Sequence, residues 1–318
     1  MRNGNPGKGP VSTAAQNGHI RFHSLRFASQ LELEPGQGDA FQLVHGHARA
    51  TQVRVPAGWP SLCVPLSGGL QLQTAEGEWQ VCAGRLQVWR DGELRIGNRG
   101  ADGWLLLTAA PAVWARHLRG LCGDAHAELF PGQHDCSRGL RRLLVRLART
   151  QRRAGLGDAC TVLEALLLEL LACQGRDLDP HLARCSGRTP MRRQQTLLRL
   201  MRVRMLIEIC RDHRLDMARL ARSASYSPWH LIRMYRDVFG ETPSEHAQRL
   251  RMLRAWTLVR DTRLPICEIT EALGFESQSS FCRAFRQAYG TTTGDVRRLR
   301  EAAEGYDPPD RAPAARAA

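Results

Sequence analysis

Apolar residues follow two different rhythms along this chain. Over residues 20–110 they come in short runs, at 41–44, 51–55, 62–66, 70–73, 79–81, 86–89 and 105–107. Turn signals separate them: Pro56-Ala57-Gly58, Ser67-Gly68-Gly69, Glu76-Gly77, Ala83-Gly84, Asp91-Gly92 and Asp102-Gly103. Short strands with a turn roughly every 8–12 residues predict an antiparallel β-barrel or sandwich. After Pro111 the period lengthens to that of a helix. Leu140, Leu143, Leu144, Leu147 and Ala148 make one apolar face, with Arg141, Arg142, Arg146 and Arg149 on the other side. A second helix, with Asp158 as its cap, carries Leu163, Leu166, Leu167, Leu170 and Leu171 to about Cys173. This pair either packs on the barrel or forms a dimer seam. The stretch from Gly175 to Pro190 is polar and marked by glycine and proline, which reads as a linker.

The last third contains a repeat. The run from Ser227 to Thr242 aligns with the run from Ser277 to Thr292, pairing Leu231 with Phe281, Arg233 with Arg283, Tyr235 with Phe285, Arg236 with Arg286, Phe239 with Tyr289 and Gly240 with Gly290. Upstream the offset falls by one, pairing Met217 with Ile266 and Leu220 with Ile269, so one extra residue sits in the second copy's turn. Each copy reads as a short helix, a tight turn holding Ser225 or Gly274, and a serine-capped second helix that ends at glycine. This is helix-turn-helix architecture, whose second helix enters a major groove. A helix over about 244–260 joins the copies. It spans roughly 25 Å, which can hold two readers about one DNA turn apart.

Charge agrees with a polyanionic partner. The 318 residues carry 45 basic and 31 acidic groups, a net +14, and 44 of the 45 are arginine, Lys8 being the exception. Such a balance favours nucleic acid over a membrane. The ten cysteines form no CxxC pair. With no export signal and no stretch long enough to span a bilayer, the expectation is a cytoplasmic chain with reduced thiols and no cofactor.

The residues over roughly 200–300 resemble the AraC/XylS family of bacterial transcription regulators. The resemblance rests on Leu264-Pro-Ile-Cys-Glu-Ile, Gly274-Phe-Glu-Ser-Gln-Ser, Phe281-Cys-Arg-Ala-Phe-Arg and Gly240-Glu-Thr-Pro-Ser-Glu. The stretch from Tyr226 to Met234 is similar to the multiple-antibiotic-resistance type of activator. By motif position, the resemblance implies that Trp229, Arg233, Gln278 and Arg283 approach bases, with Ser279 beside them. Arg236 and Arg286 lie nearly one turn further along their helices, where phosphate is the expected partner. The chain departs from the pattern at Ile232, where those activators have glutamine, at Thr270 in place of a small alanine, and at Thr293 in place of proline.

The expected fold is therefore α+β with two domains. Residues 1–19 form a tail, 20–110 a cupin-like β-barrel, 111–175 a helical packing or dimerisation segment, 176–193 a linker, 194–300 an all-α double helix-turn-helix and 301–318 a second tail. The resemblance implies a sequence-specific regulator that activates transcription. Its partners would be double-stranded DNA, RNA polymerase, a small-molecule effector and a second copy of the chain. Four N-terminal residues are candidate ligand contacts: Trp59 and Trp89 as pocket walls, and His45 and His47, which share one strand face. The competing reading is a metal-binding cupin enzyme fused to a DNA-binding domain. It requires a third ligand beside His45 and His47, and the sequence offers no evident one. No catalytic triad, paired-carboxylate or phosphate-loop pattern is present, so a non-enzyme is expected.

Overall fold

The computed structural model describes residues 16–17, 20–37, 39–98, 100–122, 128–152, 159–209 and 216–304. The expected tails lie almost wholly outside these residues, as does Asp158. The strands are β1 (Gln16–Asn17), β2 (Ile20–Leu25), β3 (Gln30–Glu32), β4 (Phe41–Gly46), β5 (Gln52–Val55), β6 (Ser61–Pro65), β7 (Gly69–Gln73), β8 (Glu78–Cys82), β9 (Arg85–Trp89), β10 (Leu94–Gly97), β11 (Trp104–Thr108) and, after α1 (Pro111–Cys122), β12 (Gly132–Asp135). Helices follow: α2 (Arg138–Arg152), α3 (Ala159–Arg184), α4 (Pro190–Ile209), α5 (Met217–Ser223), α6 (Pro228–Phe239), α7 (Pro243–Asp261), α8 (Ile266–Ala272), α9 (Gln278–Tyr289) and α10 (Thr293–Glu304).

The expected antiparallel barrel is instead two separate mixed sheets. One runs β1-β2-β4-β11-β6-β9-β12 and the other β3-β5-β10-β7-β8. From β2 to β5 the chain changes sheet at every strand, so β2 lies parallel to β4 and β3 parallel to β5. Run length and turn chemistry set where strands start and stop, but they do not choose partners across such crossings.

The larger sheet is covered on both faces. Val44, Cys63, Trp89 and Leu106 meet Val53, Leu72, Val81 and Ile96 of the smaller sheet. On its other face Phe41, Leu43, Leu62, Val88 and Leu105 pack on Trp114 of α1, Leu140 and Leu144 of α2, and Leu163 and Leu167 of α3. Consequently β6 and β11 are buried at every residue, whereas β5 and β8 alternate between buried and exposed. Double cover selects continuous apolar strands, and single cover selects alternation.

Most of the stretch expected as a linker, 176–193, is helical. α3 continues through Gly175 and Pro180 to Arg184, and α4 begins at Pro190. Tertiary anchors override the local signals. The Gln174 amide donates to the Phe130 carbonyl (2.7 Å) and accepts from its N–H (3.2 Å), and Leu178 is buried. α4 then places Met205 and Ile209 in the core between the sheets. A side chain at Gly77 would crowd Ile209, since its Cβ would fall 3.1 Å from the Ile209 methyl. Arg202 of α4 pairs with Asp91 at 3.3 Å.

The chain divides into two compact units, residues 1–210 with 217–241 and residues 211–216 with 242–318. The first repeat copy, α5 and α6, thus belongs to the unit that contains the sheets. The second copy, α8 and α9, belongs to the unit that contains α7 and α10.

Candidate nucleic-acid interface

The two copies share a corner that is set by backbone. Ser225 and Gly274 both adopt left-handed conformations, with φ of 56° and 68°. Each N–H returns to the carbonyl three residues back (3.0 and 2.8 Å), and the next N–H returns five residues (2.9 and 3.0 Å). This double return closes the exposed carbonyls of the first helix and turns the chain toward the second. The extra residue expected in the second copy, Glu276, follows that corner: four residues separate α5 from α6, and five separate α8 from α9.

Each second helix starts and stops alike. Ser227 Oγ accepts from the His230 N–H at 3.3 Å, and Ser277 Oγ from the Ser280 N–H at 3.1 Å. Gly240 and Gly290 end the helices in left-handed backbone. On the inner face Leu231, Tyr235, Phe281 and Phe285 are fully buried. Tyr235 packs on Phe239, and Phe285 lies between Phe281, Tyr289 and the ring of Trp256, which stacks on it at 5.9 Å.

Fixing the inner faces leaves the candidate residues outward. Trp229, Arg233 and Arg236 of α6 are exposed, as are Gln278, Ser279, Arg283 and Arg286 of α9. Trp229 is 69% exposed, far beyond what an indole that only packs requires. The Arg233 guanidinium lies 5.9 Å over the Trp229 ring and 3.9 Å from Asp237, so the three side chains form one outward row. Ile232 also points outward, an apolar group in a polar surface.

Both departures in the second copy are accommodated. Thr270 is buried and its hydroxyl donates to the Ile266 carbonyl (2.7 Å). Thr293 occupies the first position of α10 after Thr292, whose hydroxyl accepts from the Asp295 N–H (3.2 Å). Thr242 and Glu245 cap α7 in the same reciprocal way.

Two groups of residues that sequence reasoning missed grip α6 from behind. His181 of α3 sets its Nδ1 3.2 Å from the Val238 carbonyl and its ring edge-on to Phe239, and burial lowers its pKa. From α4, Arg199 lies 5.6 Å over the Tyr226 ring and Arg204 5.1 Å over Phe239. No local signal marks these contacts, because they join segments far apart in sequence.

The N-terminal candidates are not brought together as one site. Trp59 and Trp89 are packed in the core between the sheets, where Trp89 lies 5.5 Å from Trp79. The Trp89 indole N–H has no partner among the described residues. His45 and His47 do stack, at 5.0 Å. Burial, then the positive neighbours His47 and Arg152, lower the His45 pKa to about 4. Among the described residues no group of three metal-ligating side chains forms. No helix among them is long and apolar enough to cross a membrane.

Comparison with known proteins decides the family. A family model described as a helix-turn-helix domain matches residues 220–299. The regulatory protein SoxS of Salmonella typhimurium is 37% identical over 86 residues, which are 27% of this chain and 80% of that protein. The chain belongs to the AraC family of DNA-binding transcription regulators. The transcriptional regulator Rob of Salmonella typhimurium, another member, is 36% identical over 99 residues, of which this chain spans only 34% of the relative's length. The solved C-terminal domain of AraT, a response regulator from Geobacillus stearothermophilus, is 31% identical, with a TM-score of 0.30 over 32% of this chain and 85% of that one. Within the AraC family, then, α5–α6 and α8–α9 are this chain's two helix-turn-helix modules.

Proposed function

We propose that this AraC-family chain is a sequence-specific activator that reads two neighbouring major-groove segments, one with α6 and one with α9. The observation that carries the reading is the detailed match of the two modules: the same left-handed corner, serine start and glycine stop, with polar side chains outward at matching positions. Trp229, Arg233, Gln278 and Arg283 contact bases, with Ser279 beside them, and Arg236 and Arg286 contact phosphate. A guanidinium reaching guanine O6 and N7 supplies about 1–3 kcal/mol of discrimination.

The reading divides the chain into a DNA-reading domain over 194–300 and a cupin-like sensing domain over 20–110, with 111–175 as its packing or dimerising layer. That domain binds a small-molecule effector or a second copy, and the DNA-bound protein contacts RNA polymerase in the cytoplasm. Tight packing of Trp59 and Trp89 implies that an effector would have to open the core to enter. The protein is a regulator without catalytic activity in this reading.

Selection of bound duplexes from a random DNA pool with the full chain tests it. The expected product is a sequence with two conserved blocks about one helical turn apart. Recovery of no preferred sequence would sink the reading.

A further inference from the structure

Opposite its buried leucines, α2 presents a row of arginine. Arg138, Arg141, Arg142, Arg146 and Arg149, with Val145 and Thr150, line an open groove of about 780 Å³. Together with Arg152, the 15-residue helix carries six arginines and no acidic residue. Arg138, Arg141, Arg142 and Arg149 are exposed, and none has a carboxylate partner among the described residues. Elsewhere in the same unit Arg54 is compensated by Glu32 and Glu93, both at 2.8 Å, and Arg85 by Asp135. Like charges three and four residues apart on a helix repel. The α2 face therefore holds a concentrated charge that destabilises the helix unless an anion offsets it.

We propose that this face binds the phosphate backbone of duplex DNA flanking the segments read by α6 and α9. The inference rests on the DNA-reading function above and extends it to a surface outside both modules. Shape favours a linear polyanion. From Arg138 to Arg149 the row runs eleven helical steps, about 16 Å, with arginine at nearly every turn. A duplex offers one negative charge per roughly 1.7 Å of its axis, so such a row meets several phosphates together. A compact anion would engage only one or two of these side chains. Position agrees as well: α3 packs against both α2 and α6, so the row and the first reader belong to one compact unit.

The test uses the full chain and a duplex recovered by selection, either trimmed to the read segments or extended by about two helical turns, roughly 20 base pairs, on each side. The variant is Arg138→Ala/Arg142→Ala/Arg149→Ala, and alanine preserves helix propensity. The wild-type chain is expected to bind the extended duplex about tenfold or more tightly than the trimmed one near 0.15 M salt. The variant should lose that advantage, and its log–log salt slope should fall by about 2–3, at ~0.9 per phosphate released. Base preference and binding to the trimmed duplex should persist. The corresponding triple lysine variant, which keeps the charge, should retain most of the slope. Equal slopes for wild type and alanine variant on the extended duplex would overturn the inference and leave an acidic protein segment as the partner of this face. Absence of any base preference in the wild type would instead remove the DNA-reading function itself, and this inference with it.

Discussion

Ser225 and Gly274 hold equivalent corners of the two modules, yet only one of them is glycine. Each sits in left-handed backbone and returns its amide to the carbonyl three residues back. A side chain in this conformation costs roughly 1–2 kcal/mol, because Cβ crowds the following carbonyl. Ser225→Gly should therefore raise the unfolding free energy by up to about 1 kcal/mol, once the added freedom of the unfolded chain is deducted. Gly274→Ala should lower it by about 1 kcal/mol or more. Denaturant unfolding of the full chain measures both, and opposite signs are the expected outcome.

Arg233 and Arg236 should fail differently. Arg233→Ala should relax preference at one base pair, with a loss of about 1–3 kcal/mol confined to that position. Arg236→Ala should weaken all sequences alike and reduce the salt slope by about 1. Titrations of single-base duplex variants over a salt series separate the two. Equal, sequence-independent losses would show that neither side chain reads a base.

Stability should fall on acidification through the His45 range. The half-buried imidazole has its pKa lowered to about 4 from 6.5, so the unfolded chain binds the proton first as pH drops. Its contribution is intact above pH 6.5 and is lost progressively between 6.5 and about 4. In His45→Gln that part of the pH dependence should vanish. An unchanged slope between wild type and variant over this window would show that His45 protonates freely in the folded protein.

Met205 and Ile209 should matter in opposite ways to the whole chain and to a fragment. Both are buried between the sheets, so Met205→Ala or Ile209→Ala should cost the full chain about 2–5 kcal/mol. A fragment over 194–300 would expose the same side chains, and there the substitutions should improve solubility without lowering its melting temperature. Calorimetry on both proteins checks the contrast.

Local chemistry made the modules legible. Serine at the start, glycine at the stop and leucine or aromatic residues four apart define α6 and α9 almost to the residue, and the expected joining helix over 244–260 is α7, Pro243–Asp261. The sheets were legible only as strands. Alternation does not reveal that β2 pairs with β4 in parallel, nor that the polar segment Gly132–Asp135 adds to the edge of β9. Glycine and proline at 175 and 180 misdirected the reading of α3, because the contacts of Gln174 and Leu178 that keep it helical lie elsewhere in the sequence. Tryptophan spacing, likewise, does not distinguish a pocket wall from a filled core, and Trp59 and Trp89 are core.

α4 has one edge in each of two neighbourhoods. Met205 and Ile209 are wedged between the sheets, while Arg199 and Arg204 lie across the rings of Tyr226 and Phe239 that bracket the first reader. Close-packed side chains do not deform smoothly, and a helix moves as a rod. Whatever swells or empties the space around Met205 therefore acts on the same helix that holds Tyr226 and Phe239 at the two ends of α6. The setting of α6, the helix that carries Trp229 and Arg233, is in this way tied to the filling of the core between the sheets.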